Sequence, residues 1–148
     1  MSYTYTYPRP ALTVDMPIFT RDKQNWKVLL IKRLRSPFEA CWAIPGGFVD
    51  ENELLADAAI RELKEETGLC EVQLEQFRVY DAINRDPRHR TISVVFTGIA
   101  SENALIQAGD DAGEAVWFNI DELPETAFDH AQILQDVIGF YEKSGLFR

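Results

Sequence analysis

The stretch from Pro45 to Leu69 constrains this chain more than any other. Pro45-Gly46-Gly47 reads as a turn that interrupts the backbone pattern, since proline lacks an N–H and glycine tolerates close approach by neighbouring groups. A helix follows from Asn52 or Glu53 to about Thr67. Leu55, Ala59 and Leu63 recur along one of its faces and give it a side to bury. Asp50 and Glu53 have capping-box spacing at its start, and Gly68 supplies the stop at its end. Just upstream, Trp26 to Leu34 reads as a strand in which Val28, Leu29, Leu30 and Ile31 leave no polar face. Such a strand needs cover on both sides.

The remaining pattern agrees with that layering. Strands are expected over Ala11 to Thr20, Val72 to Ile83, Thr91 to Ala100 and Glu114 to Ile120. Arg21 to Asn25 and Asn84 to His89 read as turns. Phe128 and Asp129 read as staple residue and N-cap of a last helix that buries Ile133, Leu134, Val137, Ile138 and Tyr141. Strands interleaved with two helices predict an α/β fold, an α/β/α sandwich around a mixed sheet. No repeat or low-complexity linker interrupts the 148 residues, so a single domain over 1–148 is expected. Its arm, about 1–10, alternates Tyr3, Tyr5 and Tyr7 with small polar residues until Pro8 and Pro10. An arm of that kind could reach the sheet edge of a second copy and make a homodimer.

Charge narrows the function. With 24 Asp and Glu against 15 Lys and Arg, the formal charge is −9. That opposes broad contact with nucleic acid or an anionic membrane, both of which need a basic footprint. No apolar run nears the ~20 residues of a membrane span, and the N-terminus lacks the features of a signal peptide. Cys41 and Cys70 make no disulfide framework or metal-ligand spacing. A cytoplasmic protein is expected. An anionic substrate would still need positive charge at its site, from a metal ion or clustered arginines.

Glu62, Glu65 and Glu66 stand at i, i+3 and i+4 on the first helix. Like charges at that spacing destabilise a helix by ~0.2–0.5 kcal/mol per pair. A solvated acidic face is the ordinary explanation for such a run. A divalent cation would turn the same cost into a binding site, and hard carboxylate oxygens suit Mg²⁺ or Mn²⁺.

Gly47, Glu53 and the run Arg61-Glu62-Leu63-Lys64-Glu65-Glu66-Thr67-Gly68-Leu69 together resemble the box of the Nudix family, and the likeness extends from about Tyr7 to Gln135. The resemblance implies that Glu62, Glu65 and Glu66 ligate metal with the Gly46 carbonyl. It implies that Glu53 and Arg61 pair to brace the loop and helix, with Gly47 and Gly68 structural in the same box. Water would then attack phosphorus, the proton passing to Glu65 or Glu66, or to Glu114 or Asp111 of a later acidic loop.

The segment Arg85-Asp86-Pro87-Arg88-His89-Arg90 gathers three arginines in this acidic chain. It reads equally as a phosphate-gripping loop or as a turn braced by Asp86. Tyr7 to Asp15, Trp42 to Gly47, Arg85 to Arg88 and Phe128 to His130 together resemble the ADP-ribose pyrophosphatase branch of the family. That resemblance implies a small nucleotide substrate, ADP-ribose, giving AMP and ribose 5-phosphate. Ile83, where that branch often has proline, and His89-Arg90 depart from its pattern. Arg33 is a further phosphate candidate or an edge salt bridge, and Phe48 and Tyr80 are candidates for stacking on a base. His130 reads as part of a cap. The alternatives are a nucleoside triphosphate pyrophosphohydrolase and a non-catalytic ADP-ribose sensor. The sensors of this branch add a C-terminal winged helix, for which this chain leaves no room after its last expected helix.

Overall fold

The computed structural model describes residues 2–102 and 104–147. Eight strands form one mixed sheet, with β4–β3–β2–β7–β1–β5 in spatial order. They are β1 (Ala11–Asp15), β2 (Ile18–Asp22), β3 (Asn25–Arg33), β4 (Trp42–Ala43), β5 (Gly46–Phe48), β6 (Glu75–Tyr80), β7 (Thr91–Ile99) and β8 (Ala112–Asn119). In addition, β6 pairs with β7 and β8 pairs with β3. The helices are α1 (Leu55–Thr67) and α2 (His130–Lys143).

The central strands explain the layers. Leu29, Val94 and Phe96 pack with Ala58, Ala59 and Leu63 of α1. Their neighbours Val28, Leu30 and Val95 pack with Ile133, Leu134 and Val137 of α2. Successive strand residues point to opposite faces, so each helix covers one face of the same apolar strands. This is the expected sandwich. Leu63 is 2% exposed, and truncating such a residue to alanine costs about 2–5 kcal/mol. Among the described residues, no helix is long and apolar enough to cross a membrane.

Four local expectations need correction. The strand expected over Ala11 to Thr20 is broken at Met16-Pro17 into β1 and β2, both running parallel to β7. Pro17 has no N–H for a ladder, and its carbonyl accepts the Thr97 hydroxyl at 2.8 Å. The strand expected over Val72 to Ile83 is only Glu75–Tyr80. Gly46 and Gly47 are not a turn but lie in β5, antiparallel to β1. They are required by space: a Cβ on Gly46 would overlap Asp15, and one on Gly47 would overlap the Glu62 carboxylate.

The fourth concerns the helix starts. α1 begins at Leu55, and the Asp50–Glu53 box closes a turn ahead of it, with Asp50 N–H donating to Glu53 Oε1 at 3.0 Å. Asp129 makes no side-chain cap on α2, because its carboxylate is taken by Arg85. Gly68 does end α1, with φ 78° and its N–H on the Lys64 carbonyl.

Candidate active site

A cleft of about 450 Å³ opens where β1, β3 and β5 meet the acidic face of α1. Its lining includes Asp15, Arg33, Gly46, Gly47, Phe48, Glu62, Glu66, Arg85, Asp86, Arg88, Asp111, Phe128 and His130. In the β1–β5 ladder, Met16 N–H bonds Pro45 O and Val49 N–H bonds Leu12 O. Antiparallel bonding alternates, so the intervening Gly46 turns its peptide groups away from β1. Its N–H donates to Glu66 Oε2 at 2.9 Å.

Glu66 is partly buried, and its carboxyl is pushed up to about 8 by burial, with Glu62 and Asp15 adding to the rise against the Gly46 N–H. Burial likewise raises Glu62, although Arg61 opposes the rise. Arg61 is the brace of the helix: Nε and Nη2 donate to Glu53 at 2.7 and 2.9 Å, and Nη1 donates to Glu62 at 2.8 Å. The bond from Arg61 holds Glu53 down at about 2. Arg61 Nη2 also reaches the Phe48 carbonyl at 3.1 Å, tying the helix to β5.

The three glutamates do not converge. Glu65 stays on the exposed flank, 3.2 Å from Arg61 Nη1. Adjacent helical residues are rotated by about 100°, so Glu65 and Glu66 lie on opposite flanks of Glu62. Among the described residues no group of three or more His, Cys, Asp or Glu is arranged to hold a metal ion. The donor chemistry nevertheless fits a hard cation: partly buried carboxylates that cost energy to ionise line one cleft with the Gly46 main chain.

The arginines divide. Arg85 is buried and donates to both Asp129 oxygens, at 2.9 and 2.7 Å, with Asp15 at 3.8 Å. Burial opposes its charge, but Asp129 and Asp15 hold its pKa raised. Arg88 donates to both Asp86 oxygens at 3.1 and 2.8 Å and lies over the rings of Phe48 and Phe128. Arg33 is lowered, first by burial and then by Arg88. Its Nε donates to the Pro37 carbonyl at 2.8 Å, and it lies over Phe128. Among the described residues Arg33 makes no salt bridge, although it lines an acidic cleft.

This chain matches the NUDIX domain family over residues 9–137. The chain belongs to the Nudix family. It is 45% identical over 130 residues to an ADP-ribose pyrophosphatase of Methanocaldococcus jannaschii, covering 88% of this chain and 74% of that protein. It is 35% identical to the ADPR responsive transcriptional repressor NtrR of Acinetobacter baylyi, over 87% of this chain but only 53% of the repressor. The NUDIX domain of Shewanella oneidensis NrtR, solved with ADP ribose, superposes with a TM-score of 0.83 at 31% identity, covering 90% of this chain and 89% of that one.

Several residues of this Nudix hydrolase stand elsewhere than the sequence suggested. Glu114 lies exposed on β8 and does not line the cleft, whereas Asp111 of the same acidic loop does. Asp111 sits 3.4 Å from Arg35, both largely exposed. Tyr80 is not a base platform: its hydroxyl donates to Asp136 of α2 and its ring packs against that helix's core. Arg33, read as a further phosphate candidate, makes no salt bridge among the described residues, whereas Arg85 is taken up by Asp129 and Asp15. Asp15 was missed as a site residue. Its signal was an acid closing an apolar strand, which an extended pattern alone does not distinguish from an edge residue. His130, read as a cap, is instead buried.

Proposed function

We propose that this Nudix hydrolase cleaves the diphosphate of a nucleoside diphosphate derivative, converting ADP-ribose to AMP and ribose 5-phosphate with Mg²⁺ or Mn²⁺. One observation carries the reading: Glu62, Glu66 and Gly46 share a cleft with Arg33, Arg88 and Phe48. Carboxylates suited to a cation thus stand beside guanidiniums suited to an anion. The likeness to the archaeal ADP-ribose pyrophosphatase and to the NrtR domain solved with ADP ribose supports the choice of substrate.

Glu62, Glu66 and the Gly46 carbonyl would hold the ion. Glu65 would join them on leaving Arg61, a contact on the exposed side where ion pairs contribute only about 0–1 kcal/mol. A divalent ion held there would supply charge neutralisation for the diphosphate and polarisation of the attacking water. The protein's own contribution is placement. Arg61 fixes Glu62 against Gly47, Arg33 meets the diphosphate, and Phe48 offers a face to the nucleoside end. Arg88, already held by Asp86, orients the second phosphate or its ribose. Glu66, lining the cleft, takes the water proton in preference to the remote Glu114.

A substrate panel tests this. ADP-ribose, other sugar nucleotides and nucleoside triphosphates are incubated with Mg²⁺ or Mn²⁺, and products are separated by ion-exchange chromatography. AMP and ribose 5-phosphate in equal amounts are expected. Rapid turnover of a triphosphate with none of ADP-ribose would instead support the triphosphate reading. The likeness to NtrR and NrtR favours one second reading, an ADP-ribose sensor. Calorimetric binding of ADP-ribose without turnover, under any metal condition, would support that reading.

A further inference from the structure

The main chain that carries the site is held from beneath by buried groups of other elements. Ile44 and Pro45 link β4 to Gly46, the first residue of β5, and each of the three is fixed from a different part of the chain. Ile44 N–H donates to His130 Nδ1 at 3.0 Å, from α2. Pro45 O accepts Met16 N–H at 2.7 Å, from the residue just past β1. Gly46 N–H donates to Glu66 at 2.9 Å, from α1.

His130 is 4% exposed. A ring nitrogen that accepts a hydrogen bond carries no proton, so the neutral ring holds its proton on Nε2. That atom faces Asp15 Oδ1 at 3.5 Å. Asp15 Oδ2 accepts the Ser93 hydroxyl and lies 3.8 Å from Arg85 Nη2, and Arg85 is clamped by Asp129. Asp15 Oδ1 also occupies the space that a Cβ at Gly46 would need. The carboxylate therefore lies directly against Gly46 on one side and faces the histidine ring on the other.

We propose that His130 and Asp15 are positioning residues that set the Gly46 main chain, and through its N–H the Glu66 carboxylate. A histidine that merely filled the core would leave Gly46 indifferent to which atom accepts the Ile44 N–H. The networked geometry makes that acceptor decisive. The inference deepens the proposed function, since it assumes Gly46 and Glu66 form the acidic site, but its main readout needs neither metal nor substrate.

The test compares the native protein with His130→Asn, His130→Gln and Asp15→Asn. Asparagine sets an oxygen near the place of Nδ1 and keeps the acceptor; glutamine reaches the place of Nε2 and does not. Amide exchange and ¹⁵N spectra are recorded in chelator, followed by ADP-ribose turnover with Mg²⁺. In His130→Gln, the Ile44 and Gly46 amides should exchange at least about tenfold faster while the β3 amides keep native protection. His130→Asn should hold both within about twofold of native. The kcat should fall at least about tenfold in His130→Gln with KM little changed, and His130→Asn should recover most of it.

Equal Gly46 exchange in the two histidine variants overturns the proposal, as does a His130→Asn as defective as His130→Gln. If His130→Gln does not fold, Asp15→Asn decides. A shifted Gly46 resonance with intact β3 protection supports the proposal, and an unmoved Gly46 overturns it. Should native protein leave ADP-ribose intact, the substrate reading fails while the exchange pattern still decides the positioning.

Discussion

Replacing Glu66 by glutamine separates the energetic cost of the acidic site from its use. Glu66 rises from an ordinary 4.5 to about 8 because burial and the nearby Glu62 and Asp15 oppose its charge. A carboxyl whose pKa rises on folding favours the folded state most at low pH. That contribution is complete below 4.5 and disappears as pH climbs to about 8. Each tenfold in proton affinity is worth about 1.4 kcal/mol, so the full gap is at most about 5 kcal/mol. Partial exposure and relaxation reduce it to roughly 2 kcal/mol in practice. Glutamine keeps an oxygen for the Gly46 N–H and removes the charge. In chelator at pH 8, Glu66→Gln should melt roughly 4–8 °C above native protein, from about 2–4 °C per kcal/mol for this length. At pH 5 most of that gain should vanish. With Mg²⁺ and substrate the same variant should lose at least about 10²-fold in turnover. A melting gain equal at pH 5 and pH 8, or a variant less stable at pH 8, would show that the buried charge of Glu66 is not the cost.

Three further outcomes follow from the geometry. Arg33→Gln should raise KM about 10-fold or more with little change in melting, whereas Arg85→Gln should destabilise by about 3 kcal/mol because the buried Asp15 and the partly buried Asp129 are left without their cation; steady-state kinetics and urea unfolding distinguish them. Gly47→Ala should push the Glu62 carboxylate aside, lowering kcat at least about 10-fold at a stability cost of about 1–3 kcal/mol; an alanine variant with native kcat would contradict the close packing. Glu53 is held at about 2 by Arg61, so its contribution is complete above 4.5 and is lost as pH falls toward 2. Glu53→Gln should therefore be less stable than native protein at pH 6 in urea unfolding, and the difference should narrow by pH 3.

How far the sequence could be read depends on whether a feature is local. The helix α1 was legible because Ala59 and Leu63 repeat along one face and Gly68 ends it at φ 78°. The two-sided cover of β3 was legible because Val28 to Ile31 leave no polar face for solvent. The Met16-Pro17 break was not, since both halves keep the same β7 neighbour and only the missing proline N–H separates them. Gly46 and Gly47 read as a turn because glycine serves turns and close approaches alike, and the carboxylates they approach come from distant segments. Asp129 looked like a cap until Arg85, far off in sequence, claimed it. The acidic box declared its residue types. It did not declare that Glu65 faces away from the cleft, because i, i+3 and i+4 share a broad face without sharing a point.

On the proposed function, Glu62 and Glu66, beside the Gly46 main chain, hold the divalent ion used in diphosphate cleavage. Electron paramagnetic resonance of Mn²⁺, titrated with native protein and with the Glu62→Gln, Glu66→Gln double variant, each with AMP present, reads that binding without turnover. The free Mn²⁺ signal should fall on adding native protein and persist with the double variant, and excess Mg²⁺ should restore it to the native sample. Native protein that leaves the signal unchanged at millimolar concentration, or a double variant that removes it equally well, would contradict the account.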